Sequence, residues 1–212
     1  MRRYLRSFFC SLFIFLALCA GNLPARAASA EEIVYADVAG YLGQNEEARW
    51  IADAILYASS VYGVDPFLVT AMMEQESHFY IGSLAHAGAI GLMQVMPATA
   101  AHTAQKNGIP YSGKWQLTEP DTNLEIGSQY LADRLNEFGH LAYAAAAYNA
   151  GPARVRQWQA QFAGLPLDEW IAQIPFNETR DYVKRVLEYE KVYEYRLGLP
   201  HTSYNNGAVR LW

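Results

Sequence analysis

The chain has 212 residues, of which 52% are hydrophobic and 17% charged, and its formal net charge at pH 7 is −5. This length is enough for one well-filled core and short for two. The acidic balance argues against a nucleic-acid partner, because phosphates require a basic face. Binding to any other polymer must therefore come from aromatic side chains and hydrogen bonds.

Residues 1–27 have the pattern of a cleaved export signal. Three of the first six residues are arginines, an apolar run at 8–20 follows, and a small-x-small triplet ends at Ala27. Because the apolar run is too short to span a bilayer comfortably, we expect cleavage near Ala27 and an exported, periplasmic protein. A retained membrane anchor is the alternative interpretation.

Removal of this signal changes the composition of what remains. Four arginines and no acidic residues are lost, which leaves 12 basic and 21 acidic residues and a formal charge of −9. Both cysteines of the chain, Cys10 and Cys19, also lie within the signal. We therefore expect the mature protein to contain no disulfide.

The mature chain divides by pattern into three parts. Residues 28–45 show no sustained apolar period and are interpreted as a lead-in segment, residues 46–197 carry successive helical patterns and form the predicted domain, and residues 198–212 are a C-terminal tail. The first helix of the domain is predicted from Glu46 to Tyr62, with Gly63 as its stop.

A second helix is predicted to begin at Pro66. Asp65 is a suitable N-cap, and proline is favoured at the first helical position. Residues three and four apart then form an apolar face that includes one carboxyl group and that we extend to Tyr80. This face comprises Leu68, Val69, Met72, Met73, Glu76, Phe79 and Tyr80.

Glu76 is the candidate catalytic residue. A carboxyl group on an apolar face loses hydration, which raises its pKa and favours the protonated form that a general acid needs. The alternative is an ordinary solvent-exposed helix glutamate. Glu74 and His78 lie on a different face and are interpreted as a solvated pair.

A glycine-rich loop connects this helix to the next one, which is predicted to begin near Pro97. Gly88 and Gly91 would let the backbone pass close to another surface or to a ligand. Gln94 in the same loop could offer an amide donor and acceptor to a polar substrate. We therefore expect the loop to lie beside Glu76.

The second half of the chain is also predicted to be helical. Residues 140–150 are almost wholly apolar, which is typical of a central helix surrounded on all sides. Asn149 near its end either caps the helix or lies in a cleft, and Asn177 is predicted to cap a long last helix. The other predicted elements are helices at 123–138, 154–162 and 168–173, and a loop at 107–121. We expect Tyr111 and Trp115 to pin this loop to the core, and stacking on a ligand at a cleft edge is the alternative.

Four separated motifs occur in the order found in one known family. They are Glu76-Ser77 with GAIGLMQVMP at 88–97 and Thr99-Ala100, NLEIGSQYL at 123–131, AYNAGP at 147–152, and ETRDYV at 178–183. Over residues 48–197 the chain thereby resembles the SLT-type lytic transglycosylases, bacterial enzymes that cleave the glycan strands of peptidoglycan. The resemblance implies a mainly α, lysozyme-like fold with a central buried helix and a cleft.

The resemblance also implies a mechanism. In this family a single glutamate, which corresponds to Glu76, protonates the β-1,4 glycosidic oxygen between N-acetylmuramic acid and N-acetylglucosamine. The same glutamate then takes the proton of the muramyl 6-hydroxyl, which attacks the anomeric carbon and leaves a 1,6-anhydromuramyl end. No cofactor or metal is implied. The residues expected to hold the sugars are Gln94, Met96, Tyr148, Asn149, Glu178 and Tyr182.

One position departs from the family pattern. Ala85 stands where relatives usually have a serine, so either Ser83 or His86 substitutes for the hydroxyl or activity is reduced. Two other functions stay open: a lysozyme-type hydrolase, which would need a second carboxylate, and a wall-binding assembly subunit without catalysis. We expect a monomer acting on peptidoglycan glycan strands, with a secretion or appendage apparatus as a further partner.

Overall fold

The computed structural model describes residues 28–196, apart from the side chains of Glu190 and Glu194. The predicted signal, its two cysteines and the predicted tail lie outside the described residues. Within them the fold is helical, with isolated β-bridges and no strand. The helices are α1 (Ala30–Leu42), α2 (Glu46–Tyr62), α3 (Pro66–Ser77), α4 (Pro97–Asn107), α5 (Pro120–Phe138), α6 (Leu141–Ala150), α7 (Pro152–Gln161), α8 (Leu167–Ala172) and α9 (Asn177–Arg196), with a 3-10 helix at Lys114–Thr118.

The central helix is α6, as the sequence predicts. It packs against α5, α7 and α9, and its alanines from Ala144 to Ala147 are completely buried. Such small side chains let the neighbouring helices approach closely on every side. The predicted mainly α fold class with a central buried helix is confirmed, and α3, which carries Glu76, packs against α9 on the same core.

The segment interpreted as a lead-in contains a helix, α1. Ser29 and Glu32 form a reciprocal capping box at its start, and Ile33, Val34 and Val38 are buried against α2 and α3. Only a few positions of α1 are buried, so its apolar period is too weak to be read from the sequence. The domain boundary at residue 46 stays a prediction, and α1 shares the core of the helices that follow.

Several helix boundaries differ from their predictions. Helix α7 spans Pro152–Gln161 rather than 154–162, α8 spans Leu167–Ala172 rather than 168–173, and α3 and α5 differ by up to three residues. Asp65 caps α3 as expected, but α3 ends at Ser77 because His78 and Phe79 adopt left-handed φ angles of 51° and 61°. This turn keeps Phe79 buried and leaves Tyr80 64% exposed, so Tyr80 does not extend the apolar face. Helix α5 begins at Pro120 rather than at residue 123.

The buried Asn123 explains why α5 and the glycine-rich loop stay together. Its amide nitrogen donates to the carbonyls of Ile90 at 2.7 Å and Leu117 at 2.9 Å, and its amide oxygen accepts from the Met93 N–H at 2.8 Å. A Cβ atom on Gly91 would lie 2.3 Å from the Asn123 amide nitrogen. The expected close approach of the loop is therefore confirmed at Gly91, where only glycine fits.

The loop predicted at 107–121 contains the 3-10 helix, and its two aromatic residues differ. Tyr111 is partly buried and packs against the core, as expected. Trp115 is 62% exposed, so the expectation that it pins the loop is wrong.

In residues 28–196, no helix has the length and apolar character needed to cross a membrane.

Asn123→Ala is expected to lower the free energy of unfolding by about 3 kcal/mol, because three buried backbone groups lose their partner. Asn107→Ala makes the same chemical change at an exposed amide, whose bonds go to the Thr103 carbonyl and Asp133. It should lower stability by less than about 1 kcal/mol. Urea unfolding of the two variants measures the difference, and equal losses would contradict the anchoring role of Asn123.

Candidate active site

Glu76 lies in the last turn of α3, with its carboxyl group largely withdrawn from water. Burial raises its pKa from the ordinary 4.5 to about 7. The interaction with the Tyr182 hydroxyl opposes this by stabilising the ionised form, and the negative charge of Glu178 adds to the increase. The prediction that Glu76 has a raised pKa is therefore confirmed, and both the acid and its conjugate base are accessible near neutral pH.

Two tyrosines approach Glu76 from different helices. Burial, and then the charge of Glu76, raise the pKa values of Tyr148 on α6 and Tyr182 on α9 well above their ordinary value, so both hydroxyls stay protonated. The Tyr182 hydroxyl is buried and lacks a partner in regular hydrogen-bond geometry, yet its contact with Glu76 lowers the pKa of that carboxyl group. Tyr182 therefore favours the ionised form of Glu76.

Buried side chains hold the glycine-rich loop beside Glu76. The Tyr148 hydroxyl donates to the Met93 carbonyl at 2.9 Å, and the Ser77 hydroxyl donates to the Leu92 carbonyl at 2.8 Å. Together with Asn123, these residues satisfy consecutive backbone groups that a regular element would otherwise pair. The hydroxyl of Tyr148 thus already has a structural partner.

Gln94 and Met96 belong to this same loop. Gln94 has a left-handed φ of 45°, and its side-chain nitrogen donates to the carbonyls of Ser83 at 3.2 Å and Gly91 at 2.9 Å. The amide nitrogen is therefore engaged within the loop, so Gln94 can offer its amide oxygen to a ligand. Met96 is 40% exposed just before α4. The substrate-binding roles of both residues stay predictions.

Asn149 and Glu178 line one cavity of about 460 Å³, between the end of α6 and the start of α9. The Thr179 hydroxyl donates to the Asn149 amide oxygen at 2.7 Å, which links the third and fourth sequence motifs. Arg154 also lines this cavity, with its guanidinium group 5.2 Å from the centre of the Phe176 ring. Asn149 thus lies at a cavity, one of the two possibilities left open by the sequence.

The structure brings together some predicted residues and adds others. Tyr148, Tyr182 and Glu178 all interact electrostatically with Glu76. The sequence interpretation gave no role to Ser77 and read Asn123 only as a helix start, although both lie in the quoted motifs. The sequence signal that could have indicated these roles is a polar residue inside an otherwise apolar helical pattern.

In residues 28–196, no group of three or more His, Cys, Asp or Glu side chains is arranged to hold a metal ion.

The interpretation of Glu74 as part of a solvated pair with His78 is wrong. Glu74 is partly buried, and its Oε1 atom accepts hydrogen bonds from the hydroxyls of Tyr41 on α1 and Tyr189 on α9. His78 is exposed and contacts the Tyr41 ring instead, with 5.6 Å between ring centres. Neither α1 nor this contact of α9 is visible in the local sequence around Glu74.

A helical fold that holds one buried acid beside two tyrosines is typical of a catalytic domain. Comparison with protein families identifies the chain more closely. The transglycosylase SLT domain matches residues 53–171, and the soluble lytic transglycosylase helical domain matches residues 173–201. The chain belongs to the SLT lytic transglycosylase family.

Individual relatives agree with this assignment. The soluble lytic murein transglycosylases of Salmonella typhimurium and Escherichia coli are 42% and 40% identical to the chain over 171 residues. These alignments cover 78% of this chain and 26% of each relative, so the chain spans about a quarter of their length.

Solved structures give the same result, and they confirm the predicted lysozyme-like fold. The 70 kDa soluble lytic transglycosylase in complex with bulgecin A matches with a TM-score of 0.70 and 36% identity, over 86% of this chain and 31% of that one. An inactive Glu-to-Gln mutant of the lytic transglycosylase Slt from Pseudomonas aeruginosa matches with a TM-score of 0.67 and 35% identity, over 81% and 30% of the two chains.

Tyr182→Phe is expected to raise the pKa of Glu76 above about 7, because it removes the hydroxyl that lowers this pKa. Glu178→Gln should move the pKa of Glu76 in the opposite direction, since it removes a negative charge that raises it. NMR titration of the Glu76 side-chain carboxyl carbon measures both shifts. Tyr195→Phe is the control, because Tyr195 is 87% exposed on the same helix; shifts of equal sign in the first two variants would refute this assignment.

Glu76→Gln is expected to stabilise the fold at alkaline pH. Because the pKa of Glu76 is about 7 in the folded chain and about 4.5 when unfolded, the folded state binds more protons between these values and loses stability as pH rises through them. This difference in pKa corresponds to a loss of up to about 3 kcal/mol in the free energy of unfolding above pH 7. Urea unfolding should show the variant gaining stability over wild type between pH 4.5 and 7, then a constant difference. If the difference in stability between the variant and wild type did not change with pH, burial would not disfavour the ionised form of Glu76.

Proposed function

We propose that this chain is a peptidoglycan lytic transglycosylase that cleaves the β-1,4 bond between N-acetylmuramic acid and N-acetylglucosamine without consuming water. The observation that carries the proposal is the raised pKa of the buried Glu76. A group that must first donate and then accept a proton works best with a pKa near the operating pH. Glu76 alone can therefore carry both proton transfers.

The reaction has two proton transfers at one carboxyl group. Protonated Glu76 gives its proton to the glycosidic oxygen as the bond to the anomeric carbon of the muramyl sugar breaks. The resulting carboxylate takes the proton of the muramyl 6-hydroxyl while the 6-oxygen bonds to the anomeric carbon. Glu76 ends protonated, and the products carry a 1,6-anhydromuramyl end and a free 4-hydroxyl. Because the nucleophile is already part of the substrate, its positioning is worth several kcal/mol.

Tyr182 fits the second half of this cycle. Its protonated hydroxyl favours the carboxylate form of Glu76, which exists only after the first proton has left. The amide oxygen of Gln94, the exposed side chain of Met96 and the cavity at Asn149 and Glu178 supply contacts for the sugars on either side. Tyr148 contributes by fixing the loop that carries Gln94.

The named relatives support the proposal. The Salmonella typhimurium and Escherichia coli relatives are called murein transglycosylases, and a Glu-to-Gln mutant of the Pseudomonas aeruginosa protein is called inactive. For the present chain, the proposed mechanism is argued from Glu76 and from its neighbours Tyr182 and Glu178. An anhydromuramyl product would distinguish the lytic transglycosylase from the hydrolase alternative.

A lysozyme-type hydrolase is the second candidate, and one observation bears on it. Glu178 is the one other carboxylate in the described chain whose charge acts on the pKa of Glu76. Hydrolysis with inversion needs such a second carboxylate to activate water across the sugar. Glu178 is exposed, however, at the start of α9, where a negative charge also stabilises the helix dipole. We therefore assign it to substrate binding.

The proposed setting is the periplasm. Export would follow from residues 1–27, and the relatives are named both as soluble and as membrane-bound murein transglycosylases. The proposed protein acts as a monomer on peptidoglycan glycan strands. A secretion or appendage apparatus is its proposed further partner. Ala85 is expected to reduce activity unless Ser83 or His86 supplies the missing hydroxyl.

Incubation of purified peptidoglycan with the mature protein is expected to release muropeptides that are lighter by one water than hydrolysis products. Mass spectrometry identifies their 1,6-anhydromuramyl ends. Glu76→Gln should release none, because glutamine cannot donate the proton, and Asp53→Asn, an exposed carboxylate on α2, is the matched control with unchanged activity. Reducing muramic ends would replace the transglycosylase with the hydrolase, and binding without release would indicate the non-catalytic wall-binding subunit.

A further inference from the structure

Glu74 connects three helices at a position two residues before Glu76. The hydroxyls of Tyr41 on α1 and Tyr189 on α9 both donate to its Oε1 atom. Burial is the main cause that raises the pKa values of both tyrosines, and the bond to Glu74 adds to it. Both hydroxyls therefore stay protonated and act as donors. None of these three residues belongs to the sequence motifs that define the site.

The two glutamates flank the surface on which α9 lies. Successive residues of an α-helix are separated by 100°, so Glu74 and Glu76 project to either side of Gln75. Helix α9 packs against this part of α3, and Tyr189 interacts with Gln75 as well as with Glu74. Tyr182 and Tyr189 are seven residues apart and share one face of α9. The same face of α9 therefore meets Glu76 at one edge and Glu74 at the other.

We propose that Glu74 is a positioning residue, which acts through Tyr189 to set the placement of α9 on α3 and so holds the Tyr182 hydroxyl against the Glu76 carboxyl group. Glu74 itself does not touch the reacting atoms. The consequence for catalysis rests on the proposed function, whereas the placement of Tyr182 does not. Loss of the bond between Tyr189 and Glu74 should therefore move the Tyr182 hydroxyl relative to the Glu76 carboxyl group, at the other edge of the contact between α3 and α9.

The far end of α9 has independent attachments. Arg196 donates to both carboxylate oxygens of Asp37 on α1, at 2.6 and 2.8 Å, and the Tyr193 ring stacks on Phe67 with 4.9 Å between ring centres. These contacts keep α9 docked when the single hydroxyl of Tyr189 is removed. A Tyr189→Phe variant should thus fold, with a local change in the position of α9.

Tyr41 provides a matched control. Its hydroxyl bonds the same oxygen of Glu74, but it comes from α1 rather than from the helix that carries Tyr182. Tyr41→Phe and Tyr189→Phe each remove one hydroxyl and no charge. The charged and titratable groups around Glu74 are Asp37, Tyr41, Tyr189, Tyr193 and Arg196, and those that act on Glu76 are Tyr182 and Glu178 on α9 and Tyr148 on α6. The positive charge of Arg185 on α9 acts on both Tyr182 and Tyr189 and is kept in every variant.

The test is NMR titration of the Glu76 carboxyl carbon in the whole mature protein, which requires no activity. Tyr189→Phe is expected to raise the pKa of Glu76 in the same direction as Tyr182→Phe, and Tyr41→Phe to leave it unchanged, although both lower the melting temperature. In the double variant Tyr182→Phe/Tyr189→Phe, the shift should equal that of Tyr182→Phe alone, because Tyr189 acts through Tyr182.

An unchanged pKa of Glu76 in Tyr189→Phe, with the same loss of melting temperature as Tyr41→Phe, would overturn the proposal and leave Glu74 as a tie between helices. Additive shifts in the double variant would also overturn it, because Tyr189 would then act on Glu76 by another route. Failure of the proposed function would appear separately, as reducing ends or no products from peptidoglycan, and would leave these titrations unaffected.

Discussion

The structure of the site depends on satisfying the backbone of residues 90–93, a buried stretch outside any helix. Its polar groups are paired by Asn123 from α5, Ser77 from α3 and Tyr148 from α6. An unpaired backbone group at such depth costs about 1–3 kcal/mol, so each of these side chains is required for a stable loop. Motifs that are far apart in the chain thus form one hydrogen-bonded unit, which holds the glycine-rich loop against the end of α3 that carries Glu76.

The protonation of Glu76 results from opposing influences supplied by different helices. Its own position in α3 removes water and raises its pKa, Glu178 at the start of α9 raises it further, and Tyr182 one turn later lowers it. The outcome near 7 destabilises the folded chain at alkaline pH, because the ionised form is poorly hydrated. A site that is suited to proton transfer therefore lowers stability, and the packing of α6 and α9 around it offsets that loss.

The sequence predictions were accurate where a local signal coincides with the final environment. The bounds of α2, the start of α3 at Pro66 and the burial of α6 follow from capping residues and apolar spacing, and all three are confirmed. The end of α3 was wrong, because the left-handed turn at His78 and Phe79 interrupts a pattern that continues in the sequence. Helix α1 was missed because only a few of its positions are buried.

Local spacing and motifs in a fixed order were enough to predict the mainly helical fold and the family, and they favoured a raised pKa for Glu76 over an ordinary exposed glutamate. It could not determine the partners of polar side chains, because a hydrogen bond between residues 30 to 115 positions apart leaves no trace in either local pattern. Only the packed helices show that Asn123 anchors the loop and that Glu74 joins α1 to α9. The physical reason is that buried polar groups must find partners wherever packing brings them within reach.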